Sequence, residues 1–281
     1  MSKVMAVILN YNTLEDSIKC SELLRKQDYK DLEIVIVDNG STDGKNNYLI
    51  KYGEENGVHI ILNKKNGGFS AGNNIGLRKA EERQCKYALI INPDVEIHDV
   101  NYISKAVDKM EEDSSIAVLG TDVVNARGQH QNPMREISFL EESFLLIELI
   151  KNKLSKNIPY VVKRKRSGYC EKVSGCCFFV DMGFIKEIGF LDENVFLYCE
   201  EPILAKAVQK SKRNIYYLKE KQAFHNHIES KKGNSKKRLD MFLESRLYYL
   251  DKYSGYCGMK LKMVKKSRKK QNAFFNKKHR G

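Results

Sequence analysis

Short, wholly apolar runs alternate along the chain with stretches of helical spacing. Met5 to Leu9 is one such run and Ile34 to Val37, within Glu33 to Asp38, another, and between them Leu14, Ile18, Leu23 and Leu24 recur at helical intervals. A run that is apolar at every position reads as a strand buried on both faces, so the opening predicts a β-α-β unit with parallel strands. The alternation goes on with strands at Val58 to Leu62, Tyr87 to Ile91 and Ile116 to Gly120. Helices are predicted at Ala71 to Glu82 and Tyr102 to Glu112. This rhythm predicts an α/β fold with a mainly parallel central sheet flanked by helices.

Beyond about Asn125 the rhythm changes. Phe139 to Leu154 reads as an amphipathic or buried helix leading into the basic run Lys163-Arg164-Lys165-Arg166, so residues 125–170 are expected to form an insertion with a mobile basic loop. The predicted elements resume with a strand at Lys172 to Val180, a helix at Pro202 to Lys210 with proline in its first turn, and a strand at Ile215 to Leu218. Leu239, Phe242, Leu243, Leu247 and Leu250 then give Ser235 to Tyr253 the apolar face of a helix. Residues 1–230 are therefore expected to form the sheet domain, and residues 231–281 a C-terminal helix and basic tail.

Composition narrows the class. With 281 residues and 42% hydrophobic content the chain can bury a large core, and no apolar run approaches the ~18 residues of a membrane-spanning helix. The apolar start before Asn10-Tyr11-Asn12 is too short for a signal-peptide core, so a cytoplasmic location is expected. Seven cysteines without a Cys-x-x-Cys pair fit reduced thiols better than a zinc finger or a disulfide framework. The net charge of +13 is uneven: ten Lys and Arg and no acid lie between Lys260 and Gly281, leaving +3 for the rest. Such a tail suits local contact with an anionic partner better than a nucleic-acid-coated surface.

Open parallel sheets bind ligands beyond the carboxyl ends of their strands. The residues there are polar: Asn10-Tyr11-Asn12, then Asp38-Asn39-Gly40-Ser41-Thr42-Asp43-Gly44, then Asn63 to Gly68, then Asn92-Pro93-Asp94. Turns and caps use these residue types, but four such loops on one sheet edge point to a site. No P-loop is present, and the first strand is not followed by Gly-x-Gly-x-x-Gly. Apart from Lys64 and Lys65 the loops offer carboxylates and amides, so a phosphorylated ligand is expected to need a metal, with Asp94 and Glu96 as candidate carboxylates.

The succession Val-Asp38-Asn39-Gly-Ser-Thr-Asp43-Gly, Asn66-Gly-Gly-Phe-Ser-Ala-Gly-Asn73-Asn74-x-Gly76 and Asn92-Pro93-Asp94-Val resembles family 2 glycosyltransferases of the GT-A fold. It is most similar to the rhamnosyltransferase-like branch that assembles bacterial surface polysaccharides. Gly189-Phe-Leu-Asp192 through Glu200-Glu201, His225, and Arg246 through Tyr253 extend the resemblance in the same order. It implies inverting transfer of a sugar from a UDP or dTDP donor to a hydroxyl of a lipid-linked or growing glycan. Asn10, Asn12, Asp38, Asn39, Asn73 and Asn92 are then expected around the nucleotide. Asp94 and His225 are expected on Mn²⁺ or Mg²⁺, which assists departure of the diphosphate.

The same resemblance makes Glu201 the general base, where the family has Asp one methylene shorter; Pro202 and Ile203 also depart from the pattern. A catalytically weak sugar-nucleotide-binding scaffold is the alternative that these departures leave open. A nucleic-acid-binding protein draws on net charge alone and has no stacking or groove-reading module behind it. Cys176-Cys177 is expected to be a pair of structural thiols. The tail, with Leu261, Met263, Val264, Phe274 and Phe275 among its bases, is expected to hold the enzyme on the anionic inner face of the cell membrane. A disordered solubilising tail is the competing reading.

Overall fold

A computed structural model describes residues 1–144, 147, 160–226 and 235–278. Its first strands, β1 (Val4–Asn10), β2 (Leu32–Asp38), β3 (His59–Leu62) and β4 (Tyr87–Ile91), pair in parallel in the order β3-β2-β1-β4. Side chains alternate across a strand, and β1 buries both sets completely from Val4 to Ile8. Val4, Ala6 and Ile8 join one apolar cluster, Met5 and Val7 the other.

Helices α1 (Leu14–Leu24), α2 (Asn46–Asn56) and α4 (Tyr102–Glu112) cover the first face through Cys20, Leu24, Leu49, Tyr102 and Ile103. The other face is covered by α3 (Phe69–Glu82), α6 (Met182–Glu187) and α7 (Glu200–Lys210), through Leu77, Ala80, Phe184, Ile185 and Leu204. Helix α3 lies so close to β1 that a Cβ on Gly76 would meet Val7 Cγ1 at 2.3 Å. That helix was expected from Ala71; it begins two residues earlier, directly behind the Gly68 turn.

Beyond β4 the sheet becomes mixed. Strand β8 (Cys177–Asp181) is antiparallel to β4 and to β6 (Ile116–Asn125), and β9 (Asn214–His225) runs parallel to β6. The free edge of β9 takes β7 (Gly168–Cys170) and β5 (Val95–Glu96), both antiparallel. Strand β9 continues well past Leu218, where its apolar pattern ends. Its charged positions are satisfied by ion pairs, Lys219 to Asp122 at 2.5 Å and Lys221 to Asp99 at 2.6 Å. This extension brings His225 to the strand ends.

The helix expected over Phe139 to Leu154 begins as α5 (Phe139–Ser143), opened by a capping box between Ser138 and Glu141. Phe144 is already extended, and the rest of that segment, residue 147 apart, lies outside the described residues. The expected C-terminal helix is α8 (Ser235–Lys252), and the basic tail forms a further helix, α9 (Gly258–Lys278). Val264 of α9 is buried with Tyr249 and Leu250 of α8 and with Val195, Cys199 and Ile203 around the start of α7. Glu142 is ion-paired with both Arg246 and Arg268, at 2.5 Å to the latter, and all three are at most 5% exposed. Burial and the neighbouring Arg268 pull the Arg246 guanidinium down to about 10.

Candidate active site

At the carboxyl ends of β1, β2 and β4 the polar loops enclose an open cleft of about 770 Å³. Asn39 is its main structural joint. Its amide Nδ2 donates to Asn66 Oδ1 and the Gly68 carbonyl, both at 3.0 Å, while its Oδ1 accepts from Asn63 Nδ2 and the Gly67 amide. The loops after β2 and β3 are thereby fixed to each other. Gly68 turns the chain into α3 at φ +91°, and a Cβ there would meet the Phe196 carbonyl oxygen at 2.2 Å. Phe196, half exposed, and Leu197 wall the opposite side of the cleft.

Of the residues assigned to the nucleotide, Asn39 and Asn92 line the cleft, while Asn10, Asn12, Asp38 and Asn73 do not. Asn10 and Asp38 are buried and bonded to each other, Nδ2 to Oδ2 at 2.6 Å. Asp38 Oδ1 also accepts from the Gly40 and Ser41 amides, and Asn10 Oδ1 from Thr13 and Ser17. Asn12, at φ 56°, clamps Thr42 by accepting from its amide at 2.8 Å. Asn73 is buried in α3 and donates to the Phe69 carbonyl. These four organise the loops, Asn10, Asp38 and Asn73 from within and Asn12 at the surface.

The metal candidates converge. Asp94 lines the cleft, and His225 Nε2 lies 3.4 Å from its Oδ1. Gln131 Oε1 meets His225 Nδ1 at 2.9 Å, and the Asn226 amide donates to the Asp94 carbonyl. Burial opposes charge on His225, but the Asp94 carboxylate and the Cys176 thiol outweigh it and lift the imidazole to about 10. Glu96 is held below the usual carboxylate range by Lys19, 2.6 Å away. A carboxylate beside an imidazole suits Mn²⁺ or Mg²⁺ once the cation displaces the imidazole proton and diphosphate oxygens complete the shell. Among the described residues no third His, Cys, Asp or Glu joins them in a metal-sized cluster.

Glu201 lies at the N-terminus of α7 and lines a second cavity of about 490 Å³. Phe69 borders both spaces. Glu201 Oε1 accepts from the Gly175 amide at 3.3 Å. The next residue links back to the cleft, because the Cys176 carbonyl accepts from the Asn92 amide at 2.8 Å. Glu200 lines the same cavity; burial, then the charge of Glu201, raise its carboxyl to about 8. Tyr198 and Cys199, both in the left-handed region, turn the chain into this acidic pair. Burial lifts the Cys177 thiol to about 12, in keeping with a structural role.

Sequence reasoning did not single out Tyr11, Asp16, Lys19, Phe196 or Asn226, all of which line the cleft. Asp16 and Lys19 carried a signal, since one helical turn of α1 separates them and α1 starts at the β1 loop. Phe196 and Asn226 reach the cleft only through tertiary packing.

A doubly covered sheet with acidic and amide-rich loops at its strand ends defines the GT-A fold class. Solved structures with that fold superpose on it: a mannosyltransferase of Pyrobaculum calidifontis, in complex with GDP-Man and Mn²⁺, has a TM-score of 0.61 at 12% identity over 95% of this chain and 68% of its own. Staphylococcus aureus TarS, residues 1–349 with UDP, gives 0.58 at 16% identity, covering 93% of this chain and 69% of its own. The model of glycosyl transferase family 2 matches residues 5–174, and the chain belongs to that family. Agl10 of Haloferax volcanii, a hexosyltransferase of low-salt glycan biosynthesis, is 25% identical over 223 residues, 78% of this chain and 66% of Agl10. YibD of Escherichia coli, an uncharacterized glycosyltransferase, is 31% identical over 122 residues, 43% of this chain and 34% of YibD. The matched stretch thus spans from a third to two thirds of the length of these relatives.

Proposed function

We propose that the protein is an inverting, metal-dependent glycosyltransferase that moves a hexosyl unit from a UDP or dTDP donor to a hydroxyl of a lipid-linked or growing bacterial surface polysaccharide. The observation that carries this is the meeting of Asp94, which lines a polar strand-end cleft, with His225 behind it, from a distant part of the chain. The family relationship and the named activities of its relatives support the same class.

Asn92 offers its amide to the nucleotide, Asn39 holds together the loops that frame it, and Tyr11, 43% exposed on the cleft, offers a ring for the base to stack on. Asp94 and His225 would hold Mn²⁺ or Mg²⁺ against the diphosphate. A divalent ion bound there neutralises charge on the leaving group. Glu201 takes the proton from the acceptor hydroxyl as its oxygen bonds to the anomeric carbon, on the side opposite the breaking bond to phosphate. Lys172, buried nearby, has its charge disfavoured by burial and favoured by Glu201. An acceptor carried on a polyprenyl lipid would place the protein peripherally at the inner membrane face, and no helix among the described residues is long and apolar enough to cross it.

One observation favours a non-catalytic sugar-nucleotide binder: Glu201 opens into the second cavity rather than the cleft. Transfer and slow hydrolysis assays on a panel of UDP- and dTDP-sugars, with and without chelator, decide between them. Metal-dependent release of nucleoside diphosphate from at least one donor is expected. Tight donor binding with no turnover of any donor would leave the binder.

A further inference from the structure

Helix α9 has two unlike faces. Inward, Val264 is fully buried, Arg268 reaches Glu142, and Lys265 contacts both oxygens of Asp251 on α8 at 2.9 Å. Outward, Lys262, Lys266, Lys269 and Lys270 are exposed, with Met259 (84% exposed) and Met263 (37%) on the same helix. Among the described residues no carboxylate pairs with any of those four lysines. Helix α5, packed against α9, exposes Leu140 as well, and Phe144 just beyond its end is also exposed.

Cations without partners beside large exposed apolar side chains match the boundary of an anionic bilayer. Ammonium groups meet lipid phosphates there while thioether and aliphatic tips enter the acyl edge. A nucleic acid would engage the lysines and leave the methionines in water. We infer that the outer face of α9 is a platform for an anionic phospholipid surface. Because Val264 packs in one cluster with Cys199, directly before α7, and Ile203 within it, the platform is fixed relative to the Glu200–Glu201 turn. A loose tail would tether the protein in any orientation, whereas this helix offers one side. The inference deepens the proposed lipid-linked acceptor reading, but its test needs no sugar nucleotide, so either can fail alone.

The full chain is sedimented with vesicles of phosphatidylcholine, alone or with phosphatidylglycerol. Binding is expected only with phosphatidylglycerol and should weaken with salt. Replacing Lys262 and Lys266 by Gln should weaken it about thirty-fold, two charges at ~1 kcal/mol each, with the melting temperature unchanged. Met259→Ser with Met263→Ser should weaken it as well. Cys257, exposed just before α9, can carry an environment-sensitive dye whose emission should shift to the blue on the anionic vesicles. Unchanged partition of the Lys262/Lys266 variant, equal binding to neutral vesicles, or displacement by single-stranded RNA at matched phosphate would overturn the platform.

Discussion

The imidazole Nε2 of His225 lies 3.4 Å from the carboxylate of Asp94, although one closes the last strand of the sheet and the other follows the fourth. Two donors so placed make the proposed diphosphate site depend on both chains of contact. Asp94→Ala is expected to weaken Mn²⁺-dependent UDP binding by at least ~100-fold, the upper end of what outer-sphere changes at metal sites cost. Calorimetry with and without chelator measures it; equal affinity of the variant and the parent would remove Asp94 from the metal.

Glu201→Gln should retain nucleotide affinity and lose about 10²–10⁴ in turnover, the usual contribution of a positioned general base. The matching Glu200→Gln variant tests the order of the pair. If Glu200→Gln is the inactive one and Glu201→Gln turns over normally, the base has been assigned one residue too late.

Glu200 also makes stability pH-dependent. Its carboxyl sits at about 8 in the fold against the ordinary 4.5 of a solvated glutamate, so the folded state binds the proton more tightly than the unfolded one. The resulting stabilisation is complete below the unfolded value and is lost as pH rises through the folded value. Between those limits the melting temperature of the parent should fall more steeply than that of Glu200→Gln, which keeps the neutral shape. Parallel curves for the two proteins would show that Glu200 ionises normally.

Gly68→Ala combines a left-handed backbone with a Cβ placed 2.2 Å from the Phe196 carbonyl oxygen. The backbone strain alone costs about 1–3 kcal/mol, and the collision must also push the Phe196 wall away from the cleft. A lowered denaturant midpoint together with weaker nucleotide binding is expected; an unchanged midpoint would mean that the turn relaxes freely.

Removing the carboxylate that Arg246 and Arg268 share leaves two buried guanidinium groups facing each other. Glu142→Gln should therefore lower stability by about 3–5 kcal/mol, as breaking a buried ion pair does. Chemical denaturation checks it, and a loss under 1 kcal/mol would mean that the hairpin of α8 and α9 simply undocks.

The first half of the fold is legible because its strands are buried on both faces, and a run such as Met5 to Leu9, too short for a buried helix and followed by turn residues, reads as a strand. Helix α2 escapes because only Leu49 and Gly53 are buried along it, too few for a periodic signal. The far end of β9 is hidden for a different reason: Lys219 and Lys221 look like loop residues until Asp122 and Asp99 are folded against them. In the site, the loop identities were readable but not the division of labour. Asn10 and Asp38 are suited to touch a nucleotide by residue type, yet their polar atoms are spent on each other and on the turn. That outcome depends on a register, Asn10 opposite Asp38, which no local pattern states.

The four bonds of the Asn39 side chain have a thermodynamic consequence. Loops that are already fastened to one another surrender little conformational entropy when a ligand arrives, so more of each new contact appears as affinity. Discrimination among nucleotides would then follow the contour of a prebuilt mould, and a misfitting base would meet resistance instead of accommodation.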